Sequence, residues 1–133
     1  MEMPNSIKMF EKLIIAVLVL GLLHGYIMME AFAFLGQDMT GTLINTAVAA
    51  ALAYLTSRKK SVVCKWIITG LFVLNLIVLV AIEGYVYIFA NPVIALMWVV
   101  INLIHAYAIY LLFKSDSNAW FASKNVNQAT DTL

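Results

Sequence analysis

The chain has 133 residues, of which 64% are hydrophobic and 11% charged, with a formal net charge of +1. Soluble globular domains are about half apolar and about a quarter charged, so this composition excludes an ordinary soluble domain and indicates a one-domain integral membrane protein. The single cysteine, Cys64, excludes an internal disulfide and is interpreted as a small apolar residue near a membrane surface.

The first predicted membrane span runs from Leu13 to Leu35. A secretory signal peptide is the alternative interpretation, because Lys8 and Lys12 precede the apolar run and Ala31-Phe32-Ala33 resembles a cleavage site. The uncharged run is longer than the ~7–15 residues of a signal h-region, so we predict that this helix is retained.

The second predicted span runs from Met39 to Ser57 and is rich in small residues. Thr42, Thr46 and Ala50 recur every four residues and therefore line one face of a helix. A face of this kind allows a neighbouring helix to approach closely.

A second small-residue pattern lies in the first span, where Gly21 and Gly25 form a G-x-x-x-G spacing. We interpret this pattern as a packing face against the second helix of the same subunit. Homodimerisation through the same face is the alternative.

The middle of the chain is a basic turn, Arg58-Lys59-Lys60, followed by Lys65. The third predicted span comes next, from Trp66 to Ile82. The fourth runs from Pro92 to Phe113, because the proline of Asn91-Pro92 suits the first turn of a helix.

The segment after the fourth span, Lys114 to Leu133, is predicted to be a polar, mobile, cytoplasmic tail. Its Trp120-Phe121 pair could anchor it in the lipid headgroup layer, where aromatic rings are enriched. The predicted fold is therefore all-α, with a four-helix transmembrane domain over residues 1–113 and a tail over residues 114–133.

The basic residues predict the orientation of the chain. With four spans, every Lys and Arg falls on one side of the membrane: Lys8, Lys12, Arg58, Lys59, Lys60, Lys65, Lys114 and Lys124. By the positive-inside rule this side is cytoplasmic. We therefore predict a multi-pass inner-membrane protein built as two helical hairpins, with both termini in the cytoplasm.

Four polar residues are predicted to share a layer near the middle of the membrane: His24, Asn75, Asn102 and His105. Asn102 and His105 are three residues apart and lie on one helix face. The plain interpretation is interhelical hydrogen bonding, at about 0.6 kcal/mol per bond, that sets helix register. The alternatives are a proton relay, a polar ligand site, or a haem held by His24 and His105.

No catalytic motif is present: the sequence lacks a nucleophile elbow, a P-loop, a dinucleotide-binding glycine pattern and paired acids within a span. Two histidines are too few for a metal site, and neither lies in a local ligand motif. We therefore predict no enzyme, no metal and no cofactor, and nothing in the sequence suggests nucleic-acid binding. A purified protein without Soret absorption would exclude the haem alternative.

Three patches together resemble a group of small bacterial four-helix inner-membrane proteins of unknown function. They precede the first helix, open the third and follow the fourth: Pro4-Asn5-Ser6-Ile7-Lys8, Arg58-Lys59-Lys60 with Lys65-Trp66-Ile67, and Asn118-Ala119-Trp120-Phe121. The resemblance covers the whole layout and implies a bacterial cytoplasmic membrane, but neither an activity nor a site. Small multidrug transporters are of similar length and carry a glutamate deep in their first helix, whereas Glu30 here lies near the outer end of the span.

Two functional hypotheses follow. The first is a non-enzymatic integral membrane protein that acts through helix contacts, as an accessory subunit or as an immunity-type protector against a membrane-active toxin. The second is a small oligomeric transporter or channel that uses the mid-membrane polar layer. The expected partners are the lipid bilayer and either another membrane protein or further copies of the chain.

Overall fold

The computed structural model describes residues 2–31, 33, 36, 38–78 and 91–130. Over this part of the chain every regular element is a helix, which confirms the all-α prediction. The helices in chain order are α1 (Asn5–Ala31), α2 (Thr40–Ser57), α3 (Val62–Val78), α4 (Pro92–Leu111) and α5 (Ser115–Thr130).

The start of α4 at Pro92 agrees with the sequence prediction. The side-chain oxygen of Asn91 accepts hydrogen bonds from the backbone N–H groups of Val93 at 3.0 Å and Ile94 at 3.4 Å. Pro92 occupies the first turn, where its missing N–H would have had no partner within the helix. The asparagine thus satisfies backbone donors that the helix itself leaves unpaired.

Backbone hydrogen bonds close the turn between α2 and α3. The Arg58 N–H donates to the Tyr54 carbonyl at 2.8 Å, and the Ser61 N–H donates to the Leu55 carbonyl at 3.1 Å. Lys60 lies just before Ser61 with a φ of 51°, in the left-handed region. Glycine usually occupies this position at a helix end, so contacts elsewhere must hold the lysine in place.

The packing face of α1 is a stripe of residues spaced alternately three and four apart, as in a left-handed helix bundle. Four successive members of the stripe are at most 8% exposed: Ile7, Phe10, Ile14 and Val17. α1 begins at Asn5, before Leu13, the first residue of the predicted membrane span, and Ile7 and Phe10 in this first part of the helix are buried against the protein.

α1 packs against both α2 and α4, and α3 packs against α2. Glu11 near the start of α1 contacts Ser57 at the end of α2. Gly25, near the end of α1, lies against Thr42 near the start of α2. These two helices are therefore antiparallel. The start of α3 likewise lies beside the end of α4, because the Trp66 ring contacts the ring of Phe113 just after α4. The start of α1, the end of α2, the start of α3 and the end of α4 therefore lie at the same end of the bundle. We call this end, which includes the turn 58–60 and Lys65, the basic end.

The buried core is concentrated at the basic end. Its members come from the starts of α1, α3 and α5 and the ends of α2 and α4: Ile7, Phe10, Ile14, Ala53, Ile68, Phe72, Ala108, Ile109, Leu111, Leu112, Trp120 and Phe121. Further along α1, Gly21, His24 and Met28 continue the packing stripe but are only partly buried. Within the described residues the bundle is closely packed at the basic end and more open at the other.

Large apolar side chains cover the outside of the four long helices. Ile15, Ile44, Val63 and Leu103 are each at least 60% exposed. Among the described residues, two helices, α1 and α4, are by length and composition long and apolar enough to cross a membrane, and only 17% of the most apolar part of each is buried. α2 and α3 do not meet the same criterion of length and hydropathy.

Some predicted features lie outside the described residues. These are the span ends at Leu35 and Ile82, Phe32 of the cleavage-like sequence, and residues 131–133 of the tail.

Candidate functional site

Charged and polar side chains from different helices meet at the basic end. Arg58, which caps α2, forms an ion pair with Glu11 of α1, with Nε 2.6 Å from Oε1 and Nη2 2.9 Å from Oε2. The Ser57 hydroxyl donates to the same carboxylate at 2.8 Å. The hydrogen bond and the charge of Glu11 raise the pKa of Arg58. This two-pronged contact joins the start of α1 to the end of α2.

Lys60 contacts α5. Its Nζ donates to the Ser123 hydroxyl at 2.7 Å and lies 3.8 Å from the centre of the Trp120 ring. A cation over an indole face is attracted by the ring quadrupole. These contacts account for the left-handed backbone of Lys60, because they hold its side chain against α5.

Lys65 also contacts α5 and the residue Phe113 before it, and Lys65 is only 5% exposed. Its Nζ donates to the side-chain oxygen of Asn118 at 2.9 Å. It lies 4.1 Å from the centre of the Phe113 ring and 5.0 Å from that of Phe121. An amide oxygen and two ring faces thus solvate a lysine that the sequence predicted only as an orientation signal.

Residues 115–130 form a helix, which differs from the predicted mobile tail. Trp120 is 7% exposed and Phe121 is 3% exposed, so both rings lie in the protein core. The Trp120 indole N–H donates to the Ser57 carbonyl at 3.2 Å. The overall polarity of the segment hid this buried face, because only a few of its residues are apolar.

The beginning of α5 is tied to the beginning of α1. The Ser6 hydroxyl donates to an Asp116 carboxylate oxygen, across 110 residues of sequence. This hydrogen bond lowers the pKa of Asp116. Both chain ends of the bundle therefore meet at the basic end.

A groove of about 230 Å³ lies between α1 and α2, next to the Glu11–Arg58 pair. Its other walls are mainly apolar: Ile14, Ile15, Leu18, Ala50, Ala53 and Tyr54, with Ser57 beside the pair. Ile15 is 61% exposed and Tyr54 is 56% exposed, so the groove opens to the exterior of the bundle. We call it the α1/α2 groove.

The four residues of the predicted polar layer have different surroundings. Asn102 donates to the Trp98 carbonyl at 2.9 Å, one turn earlier on its own helix, and Asn75 is exposed. The His105 ring lies 4.5 Å from that of Phe72 on α3. His24 is partly buried on the packing stripe of α1. A common polar layer of the four stays a prediction.

The predicted helix-packing residues also differ from one another. Gly25 lies directly against Thr42, because a Cβ atom on Gly25 would stand 2.6 Å from Thr42 Cγ2, whereas one on Gly21 would have no neighbour within 4 Å. The Thr46 hydroxyl donates to the Thr42 carbonyl at 2.7 Å within α2. Ala50 is exposed and forms part of the α1/α2 groove.

Within the ranges that the structure describes, no group of three His, Cys, Asp or Glu side chains lies close enough together to hold a metal ion. Cys64 is a partly buried free thiol in the first turn of α3.

Sequence reasoning missed the partners of the basic turn, namely Glu11, Asn118 and Ser123. Glu11 carried a usable signal, because it stands between Lys8 and Lys12 in an otherwise basic segment. Asn118 and Ser123 carried none, since their contacts with the turn depend on how α5 folds back over the bundle.

Comparison of the chain with protein-family models, with curated proteins and with solved structures found no match in any of the three.

Proposed function

We propose that the chain is a non-enzymatic integral membrane protein that crosses the membrane four times and acts through contacts of its helix surfaces. The observation that carries the proposal is the apolar exterior of α1 to α4, where side chains such as Ile44 and Leu103 are at least 60% exposed. Soluble monomers rarely expose contiguous apolar patches above a few hundred Å², so a surface of this kind requires lipid or a partner.

Packing within the bundle supports four crossings. α1 and α4 have the length and apolarity of membrane spans. α2 lies antiparallel to α1 through the Glu11–Ser57 and Gly25–Thr42 contacts, and α3 contacts α4 through Phe72 and His105. At about 1.5 Å per residue, helices of this size approach the ~30 Å hydrocarbon thickness, so a membrane that contains α1 and α4 also contains α2 and α3.

The charge distribution supports an orientation with the basic end in the cytoplasm. The exposed acids lie toward the opposite end, Glu30 in the last turn of α1 and Asp38 just before α2. All eight Lys and Arg residues belong to segments at the basic end. By the positive-inside rule, this asymmetry supports an orientation with both termini in the cytoplasm.

Two residues of the predicted polar layer give no support to a transport path. The Asn102 side chain donates to a carbonyl of its own helix, and Asn75 is exposed. Neither side chain therefore links one helix to another along a path through the bundle. Exposed side chains such as Ile44 and Leu103 offer helix surface to another membrane protein. An accessory subunit or an immunity-type protector would use such a surface.

Site-specific photocrosslinking in the native membrane, at native expression, tests this proposal. A photoreactive residue is placed at exposed Leu103 or Ile44, with buried Ile109 as the matched control. We expect one stoichiometric membrane-protein or toxin partner from an exposed position and none from Ile109.

The same crosslink should persist when the predicted polar layer is replaced by apolar residues (His24, Asn75, Asn102 and His105 to leucine). Recovery of self-crosslinked protein alone would contradict the accessory or protector role and would favour a homo-oligomeric carrier.

A small oligomeric transporter is the second candidate, and one observation favours it. His105 Nε2 is buried and has no hydrogen-bond partner among the described residues, as a group that exchanges protons or ligand would require. The test is proton flux in vesicles with Asn102→Leu and His105→Leu. Loss of flux with intact insertion supports transport, and wild-type flux in both variants removes it.

A further inference from the structure

We propose that the α1/α2 groove binds one acyl chain of an anionic phospholipid, with the lipid phosphate at Arg58. The inference rests on the proposed membrane insertion and adds a defined ligand site at the basic end. Its basis is an apolar groove that ends at an exposed, oriented guanidinium.

The groove exists because α2 presents small side chains where α1 presents large ones. Ala50 and Ala53 face Ile14, Ile15 and Leu18 across the gap. At about 230 Å³ the groove is smaller than the roughly 300–1,000 Å³ of pockets that enclose a drug-sized ligand. It therefore suits a single alkyl chain that lies along the helices with its outer side toward the bilayer.

Arg58 closes the basic end of the groove in a suitable orientation for a phosphate. Its side chain is 55% exposed, and its contacts with Glu11 use Nε and Nη2. Guanidinium carries five N–H donors, so the two hydrogens of Nη1 and the second hydrogen of Nη2, which have no partner in the described part of the chain, can donate to an anion. The ion pair orients the fork, and the planar donors match phosphate oxygens.

The charges around this end of the groove favour an anionic headgroup over a zwitterionic one. Lys12 follows Glu11, Lys8 lies one turn earlier on α1, and Lys59 follows Arg58, and all three lysines are exposed. Residues 8–12 and 58–59 thus carry four cations and one carboxylate. A headgroup with its own cation would meet repulsion here, whereas juxtamembrane lysine and arginine side chains attract anionic lipid.

The other basic residues of the turn do not compete for this role. Lys60 donates to Ser123 and Lys65 donates to Asn118, both on α5. Arg58 and Lys59 are the residues of the turn that stay exposed.

Quenching by brominated lipids tests the proposal with the full chain in vesicles. Tyr54→Trp places an indole in the groove, and Leu55→Trp places one at the same depth but outside it. Each variant is measured against the wild-type emission, with bromine on the acyl chains of either phosphatidylglycerol or phosphatidylcholine at equal mole fraction. We expect at least twofold stronger quenching of Tyr54→Trp by the anionic lipid, and equal quenching of Leu55→Trp by both.

Two further changes in the Tyr54→Trp protein test the two halves of the site. Ala50→Leu fills the groove and should remove the preference, whereas Ala51→Leu, which lies outside the groove lining and is also exposed, should keep it. Arg58→Gln should likewise remove the preference, whereas Lys114→Gln should keep it. An unchanged preference in Ala50→Leu or in Arg58→Gln would overturn the proposal.

The experiment separates this proposal from the proposed function. Equal quenching of Tyr54→Trp and Leu55→Trp by both lipids would show an inserted protein without the lipid site, and would overturn this inference alone. Absence of quenching by either lipid in either variant would show that the bundle does not enter the bilayer, and would overturn both.

Discussion

Gly25 is the residue at which α1 and α2 approach most closely among the glycines described. We expect Gly25→Ala to destabilise the bundle by about 1–3 kcal/mol, because the added methyl group would overlap Thr42 Cγ2 at 2.6 Å. Gly21→Ala is the matched control, because nothing lies within 4 Å of its Cβ position and alanine favours a helix by up to about 1 kcal/mol. Unfolding by detergent titration measures both.

Removing the overlap should restore stability. The double variant Gly25→Ala with Thr42→Ala should recover most of the loss, because alanine lacks the two closest atoms of the threonine. Equal stability of the two single glycine variants would contradict a close α1–α2 contact at this point.

Lys60 combines an unfavourable backbone conformation with favourable side-chain contacts. Lys60→Ala and Lys60→Gly both lose the contacts with Ser123 and Trp120, but only glycine tolerates the φ of 51° without cost. We therefore expect Lys60→Ala to be less stable than Lys60→Gly by about 1 kcal/mol, since the left-handed conformation costs about 1–2 kcal/mol for other residues. The same unfolding titration measures the difference, and equal values would contradict this conformation.

At the scale of elements, α5 is held to the bundle mainly by its buried aromatic face. Trp120→Ala should release it, because truncating a buried tryptophan costs about 3–5 kcal/mol. A cysteine in place of fully buried Ser117, in a Cys64→Ser background, reports the release. We expect maleimide labelling at position 117 to rise at least tenfold in Trp120→Ala.

The matched control for this experiment is Ala119→Ser, an exposed position one residue away. It should leave the labelling rate unchanged. Equally slow labelling in Trp120→Ala would contradict the docked position of α5.

Docking of α5 should also depend on pH through Asp116. The Ser6 hydrogen bond lowers the pKa of Asp116 in the folded state. The stability that ionised Asp116 contributes is therefore fully present above the unfolded pKa of about 3.9, and it is lost as pH falls through the lower folded pKa. Emission of Trp120, with the other two tryptophans replaced by phenylalanine, should therefore shift to the red in strong acid. Asp116→Asn removes the titration, so the difference between the two proteins isolates Asp116 from Glu11 and the other acids.

At the scale of the whole molecule, the bundle is asymmetric in both packing and charge. The core and the basic residues share one end, and exposed Asp38 lies at the other. In a Cys64→Ser background, we expect a cysteine that replaces Asp38 to react with a membrane-impermeant maleimide in intact spheroplasts. A cysteine that replaces exposed Lys59 in the same background should react only after permeabilisation, and native Cys64 of the wild-type protein should likewise be protected from outside.

Labelling of both engineered positions from outside, or of neither, would contradict the proposed four-span orientation. Labelling from outside of the cysteine at position 59 alone would indicate the opposite orientation, with the basic end outside the cell.

The sequence by itself determined the elements that depend on local chemistry. Helical periodicity and apolarity predicted four long helices, and Asn91-Pro92 predicted the start of α4, because a side-chain cap and a proline act within one turn. The alternation of apolar spans with one basic turn also placed every Lys and Arg in segments that the structure brings to one end.

Only the tertiary structure decided what those residues contact. The partners of Arg58 and Lys65 lie 47 and 53 residues away in sequence, and the Ser6–Asp116 contact spans 110 residues, so no local pattern could identify them. The same holds for α5, whose two aromatic rings suit either a headgroup layer or a protein core. Burial of those rings depends on the surface that the ends of α2 and α4 together create, and that surface exists only when the helices have packed.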